Sequence, residues 1–182
     1  MCIASYSIVY SSRTGNTALL ARRILDNLPA GQRRYFGPPC PAACCAPLLF
    51  VGFWVYNGGC DPATQTFLSQ LHGKQVVLFG TAGLGGFRGF TGYPDYCAAV
   101  LRRVKSGLAG DNHVPGSFLC QGKIPLSVGE WYKSQLQSDP HNAVYRAMIE
   151  NFKEAQSHPN QADFAALDRW LRNLLPALKL PF

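Results

Sequence analysis

Acidic side chains are scarce in this chain. Ten Asp and Glu stand against seventeen Lys and Arg, a formal net charge of +7. Charged residues of both signs make up only 15% of the 182 residues, while 47% are hydrophobic. That balance excludes a disordered polyelectrolyte and fits a folded chain with a sizeable core. Long apolar runs are also missing. The longest, Pro47 to Tyr56, is about half the length a membrane-spanning helix needs. The opening residues Met1-Cys2-Ile3-Ala4-Ser5 lack a basic start followed by an apolar stretch, so no secretory leader is expected and a cytoplasmic location is. The seven cysteines form no regular framework and their number is odd, which argues against a disulfide scaffold. The cluster Cys40-Pro-Ala-Ala-Cys44-Cys45 has no Cys-x-x-Cys spacing and no second pair, and the four histidines are scattered, so no metal site is expected.

Two phosphate-loop patterns are absent as well. There is no Gly-Lys-Ser/Thr ending of the Walker type, and no Gly-x-Gly-x-x-Gly follows the first apolar segment. What stands there instead is Ser7-Ile8-Val9-Tyr10-Ser11-Ser12-Arg13-Thr14-Gly15-Asn16-Thr17. It reads as a strand, a hydroxyl-rich loop around one glycine, and the start of a helix carried by Leu20, Ile24 and Leu28. A strand turning sharply into a helix aims several backbone N–H groups at one point, and the helix dipole adds roughly half a positive charge. Hydroxyls from Ser12, Thr14 and Thr17 can add donors. This is the chemistry of a phosphate site.

The remaining pattern alternates. Strands are expected at 5–11, 34–36, 48–55, 74–80 and 117–120. Helices are expected at about 15–28, from Asp61-Pro62 to Leu71, and from Pro94 to Ser106. The stretch 37–47 is too rich in proline for a long helix. Beyond residue 123 the pattern is helical, with Tyr145, Met148, Ile149 and Phe152 on one face and Phe164, Leu167, Leu171 and Leu174 on another. Asp139-Pro140 and Asn160 with Asp163 look like helix starts.

Ser12, Thr14, Gly15, Asn16 and Thr17, so close to the first strand, resemble the FMN-phosphate loop of flavodoxins. The resemblance spans about residues 5–123. It implies an α/β fold: a doubly wound, five-stranded parallel sheet in the order 2-1-3-4-5, here with extra C-terminal helices over 124–182, all in one domain. It also implies FMN as cofactor, bound at the carboxyl ends of the strands. In that family the loops after the third and fourth strands wall the flavin ring. By that likeness Trp54, with Tyr56 as rival, is a stacking candidate, and Asn57-Gly58-Gly59 stands where flavodoxins have a glycine turn near the ring. Asp61 is more economically a helix cap than a flavin neighbour. In the glycine-rich stretch 80–93, Thr81 and Gly83 are site candidates and Tyr93 is the outer stacking candidate, with Phe87 and Phe90 as rivals and Arg88 as a cation for the reduced flavin. Gln121, Gly122 and Lys123 end the last strand and are further lining candidates. The cofactor-binding set is therefore Ser12, Arg13, Thr14, Gly15, Asn16, Thr17, Trp54, Asn57, Gly58, Thr81, Gly83 and Tyr93, with no catalytic side chain and no metal.

The implied function is electron transfer between redox proteins. The alternatives are an FMN-dependent NAD(P)H reductase of a quinone or other small acceptor, and a cofactor-free binding module on the same fold. The basic balance departs from the acidic flavodoxins and points to partners with an acidic docking surface. Nucleic acid is disfavoured, since no nucleic-acid motif accompanies the paired arginines.

Overall fold

The computed structural model describes residues 5–86 and 96–180. Five parallel strands form its centre: β1 (Tyr6–Tyr10), β2 (Arg33–Gly37), β3 (Leu48–Tyr56), β5 (Gln75–Ala82) and β6 (Ser117–Gln121). They lie in the order β2-β1-β3-β5-β6. Discounting β4 (Gly59–Cys60), a two-residue strand that folds back antiparallel on β3, this is the expected 2-1-3-4-5 arrangement. Parallel strands need crossovers; the proline-rich stretch with a short 3-10 turn at Pro41–Cys45 joins β2 to β3, and helices supply the other three. These are α1 (Asn16–Asp26), α2 (Pro62–Ser69) and α3 (Tyr96–Lys105). Three more follow the last strand: α4 (Leu126–Ser138), α5 (Ala143–Ala155) and α6 (Gln161–Leu174).

Both sheet faces are buried, and alternation along the strands sorts the side chains between them. Leu48 and Phe50 of β3, with Val77 and Phe79 of β5, pack on Leu20 and Ile24 of α1 and Leu167, Leu171 and Leu174 of α6. Leu49, Val51 and Phe53, with Val76 and Leu78, pack on Phe67 and Leu68 of α2 and Val100 and Val104 of α3. A smaller core of Ile124, Phe152 and Ala155, with Val128 and Tyr132, joins α4 to α5.

Several local expectations shift. The strand expected at 74–80 runs on to Ala82, which brings Thr81 into the sheet. The start expected at Asp139-Pro140 is instead a connection. Asp139 closes α4, and α5 is capped three residues later by Asn142, whose side chain accepts from the N–H groups of Val144 and Tyr145. Asn160 and Asp163 do form a capping box at the start of α6. The core is also not confined to 5–123, because α6 returns to the sheet and covers the face beside α1. There Arg23 and Asp168 form a bidentate pair at 2.9 and 2.5 Å. The guanidinium holds the Asp168 carboxyl below its usual range.

Candidate functional site

The carboxyl ends of β1, β3, β5 and β6 meet at a cleft of about 280 Å³. Its rim begins at the loop between β1 and α1. Gly15 sits at φ +90°, a left-handed conformation that glycine adopts without strain. No side chain caps the helix at this position. Ser11 N–H is bonded to the Gly52 carbonyl at 3.0 Å and Ala18 N–H to Ser12 Oγ at 3.3 Å. Among the described residues, the backbone N–H groups of Arg13, Thr14, Gly15, Asn16 and Thr17 have no protein acceptor. Consecutive N–H groups left open at a helix N-terminus make an anion cradle.

The side chains around this cradle divide by role. Arg13, Thr14 and Asn16 line the cleft. Asn16 donates from Nδ2 to the Lys123 carbonyl at 3.0 Å, tying the loop to the end of β6. Gly122 makes that approach possible, since a Cβ there would lie 2.9 Å from Asn16 Nδ2. Ser12 faces a neighbouring groove with Gly15, Pro38 and Pro39, and its hydroxyl accepts from the helix backbone. Thr17 departs from the expectation that its hydroxyl serves phosphate. Its side chain is fully buried, with Oγ1 donating to the Phe53 carbonyl at 3.3 Å and lying 3.1 Å from Thr81 Oγ1. Both threonines thus pin α1 to the carboxyl end of the sheet, although Thr81 also borders the cleft.

The walls are aromatic and apolar. Trp54 and Val55 of β3 form one side, Gly83 and Leu84 another, and Ile124, Pro125, Val128 and Tyr132 a third. Adjacent residues of β3 take different fates: Phe53 is fully buried in the core, while Trp54 is partly exposed at the cleft. The Arg13 guanidinium stands 5.8 Å from the Trp54 ring centroid, a cation–π contact. Tyr96 of α3 and Tyr132 of α4 complete the lining, and burial pushes the Tyr132 phenol up from its ordinary value. Neither tyrosine, nor Val128, stood out in the sequence. The i, i+4 spacing of Val128 and Tyr132 was the available signal for one helix face.

Asn57 and Gly58 lie outside the lining of this cleft. Both have positive φ, 47° and 72°, the pair of angles a two-residue hairpin turn between β3 and β4 demands. Arg103 of α3 holds that turn by donating to the Asn57 carbonyl at 2.8 Å. Asp61 is the cap of α2, accepting from Thr64 N–H at 3.1 Å and Thr64 Oγ1 at 2.8 Å. Gln121 points inward: its Nε2 donates to the Gly83 carbonyl and to Asn151 Oδ1. Tyr93, Phe87, Phe90 and Arg88 lie outside the described residues. All six described cysteines are free thiols, and no group of three metal-ligating side chains occurs among the described residues. No described helix is long and apolar enough to cross a membrane.

The turn from β1 into α1 thus presents open N–H groups beside a cleft lined by Trp54, Tyr96 and Tyr132. A flavodoxin-domain family model, Flavodoxin_3, matches residues 7–171. The chain belongs to the flavodoxin domain family. Among curated proteins, this flavodoxin-domain chain is 33% identical over 190 residues to the flavodoxin-like domain-containing protein BilS of Clostridium symbiosum (strain WAL-14163), covering 94% of this chain and 96% of that one. It is 30% identical over 175 residues to BilS of Clostridioides difficile (strain CD3), covering 92% and 94%. Among solved structures, the flavodoxin of Streptococcus pneumoniae TIGR4 superposes with a TM-score of 0.55 at 15% identity, over 96% of this chain and 99% of that one, a likeness of fold.

Proposed function

We propose that this flavodoxin-domain chain binds FMN in the cleft and passes electrons between redox proteins of the cytoplasm. One observation carries the reading: five consecutive N–H groups, Arg13 to Thr17, stand without partners among the described residues beside a cleft bordered by Trp54. A phosphate needs such donors, and a flat ring needs an aromatic wall joined to it. At about 280 Å³ the cleft is near the lower end of small-molecule sites, which suits a ligand whose ring edge stays accessible to a partner. FMN, once bound, supplies one- and two-electron chemistry that these side chains cannot. The chain's own part is to grip the phosphate through the loop, to flank the ring with Trp54, and to exclude water with Val128, Ile124 and Tyr132. The scarcity of acid on this chain supports a partner with an acidic docking surface, steered in by opposite charge.

The aromatic trio Trp54, Tyr96 and Tyr132 in the lining favours one second reading, an FMN-dependent reductase that admits NAD(P)H and a small acceptor such as a quinone. Stopped-flow mixing of the FMN-loaded protein with NADH and NADPH separates the two. A carrier shows no reduction on the seconds scale by either nucleotide, yet is reduced by a reductase partner at a rate that falls as salt rises. Rapid direct oxidation of NAD(P)H by the purified chain would contradict the carrier reading.

A further inference from the structure

The cleft has two cationic side chains and, among its described lining residues, no carboxylate. The cations are Arg13 and Lys123, both exposed at the mouth. Neither is in an ion pair among the described residues. The Arg13 side chain and the Lys123 backbone are held in place. Arg13 is steadied by the Trp54 ring at 5.8 Å. The Lys123 backbone is fixed by Asn16 at 3.0 Å, with Gly122 pressed against the same asparagine. One cationic residue therefore comes from the loop after β1 and the other from the end of β6, and both line the same cleft. The cradle provides five N–H donors for a phosphate but no formal charge, and Arg13 and Lys123 add two full positive charges at the same cleft.

We propose that Arg13 and Lys123 form a cationic clamp that stabilises negative charge on the reduced ring and so raises the two-electron potential of bound FMN. This rests on the FMN reading above. Reduction by two electrons with uptake of one proton adds one negative charge to the ring, the electrons coming from a reduced redox protein. A positive charge a few ångströms away favours that form over the neutral oxidised ring. The phosphate carries the same charge before and after reduction, so the attraction of either cation for it cancels from the potential shift, which reads the effect of that cation on the ring.

The test is an equilibrium potential measurement on FMN-loaded protein against reference dyes, with dithionite as reductant. R13Q and K123Q should each lower the preference for reduced over oxidised FMN by roughly three- to thirtyfold, about 15–45 mV toward negative potential for a two-electron couple. The double variant should approach the sum, and the shifts should shrink between low and high salt. Arg13→Lys and Lys123→Arg should retain the wild-type potential. Both positions are exposed, so the fold stays intact in all five variants. A double R13Q/K123Q protein that binds FMN and keeps the wild-type potential would overturn the clamp. Failure of the wild-type chain to bind FMN would instead overturn the functional reading, and the clamp with it.

Discussion

Thr17 shows how far a side chain's role depends on where its rotamer points. In the sequence it is one hydroxyl of a phosphate loop. In the structure its Oγ1 reaches the Phe53 carbonyl and Thr81, inside the joint between α1 and the sheet. A buried hydrogen bond of this kind contributes about 1 kcal/mol, and leaving its partners unpaired costs about 1–3 kcal/mol. Thr17→Val keeps the shape and removes the hydroxyl. It should lower unfolding stability by about 1–3 kcal/mol in a denaturant titration while leaving the ratio of FMN to riboflavin affinity unchanged. A phosphate-donor role would instead reduce that ratio by about ten- to a hundredfold, because a hydrogen bond to a charged group contributes about 1.5–3 kcal/mol. The same scale explains Trp54. Period-2 alternation in β3 sends Phe53 into the core and leaves its neighbour at the cleft, which residue type alone does not show.

At the scale of elements, the helical pair α4–α5 is the part whose role was least legible. Periodicity revealed a helix over 145–152 and another over 164–174, but not that α4 would turn its Val128 and Tyr132 toward the cleft. That depends on packing between distant segments. Asn151 is the connection: only 2% exposed, it donates from Nδ2 to the Gly83 carbonyl at 3.1 Å and accepts from Gln121 Nε2 at 3.1 Å. One side chain thus ties α5 to both the glycine-rich loop and the end of β6. Asn151→Leu leaves Gln121 with a poorer partner set and should cost about 1–3 kcal/mol of stability. Hydrogen exchange should speed up locally at 83–86, and FMN and riboflavin should weaken by a similar factor, since the ring wall and not the cradle is loosened. Unchanged exchange at 83–86 would show that the loop holds its place without the latch. By contrast, the strand–helix alternation, the cap at Asp61 and the capping box at Asn160 were legible, because each rests on local chemistry within a few residues.

For the whole molecule, the fold followed from alternation of buried strands and amphipathic helices, which leaves few topologies once crossovers are right-handed. The site was legible where it depends on backbone, at the loop around Gly15, and less so where it depends on tertiary approach, as at Tyr96, Tyr132 and the hairpin turn at Asn57-Gly58. At the same scale the chain carries a formal net charge of +7, and two of its cations line the cleft without an acid among the described lining residues.

The phosphate cradle is the feature on which FMN binding depends. Tryptophan fluorescence titration of the purified apo-protein with FMN and with riboflavin tests it directly. If the open N–H groups from Arg13 to Thr17 grip a phosphate, FMN binds at least about a hundredfold more tightly than riboflavin, as several charge-assisted hydrogen bonds would require. Quenching should come mainly from Trp54 and fall away in Trp54→Ala. Equal affinity for the two flavins, or binding of neither, would contradict it.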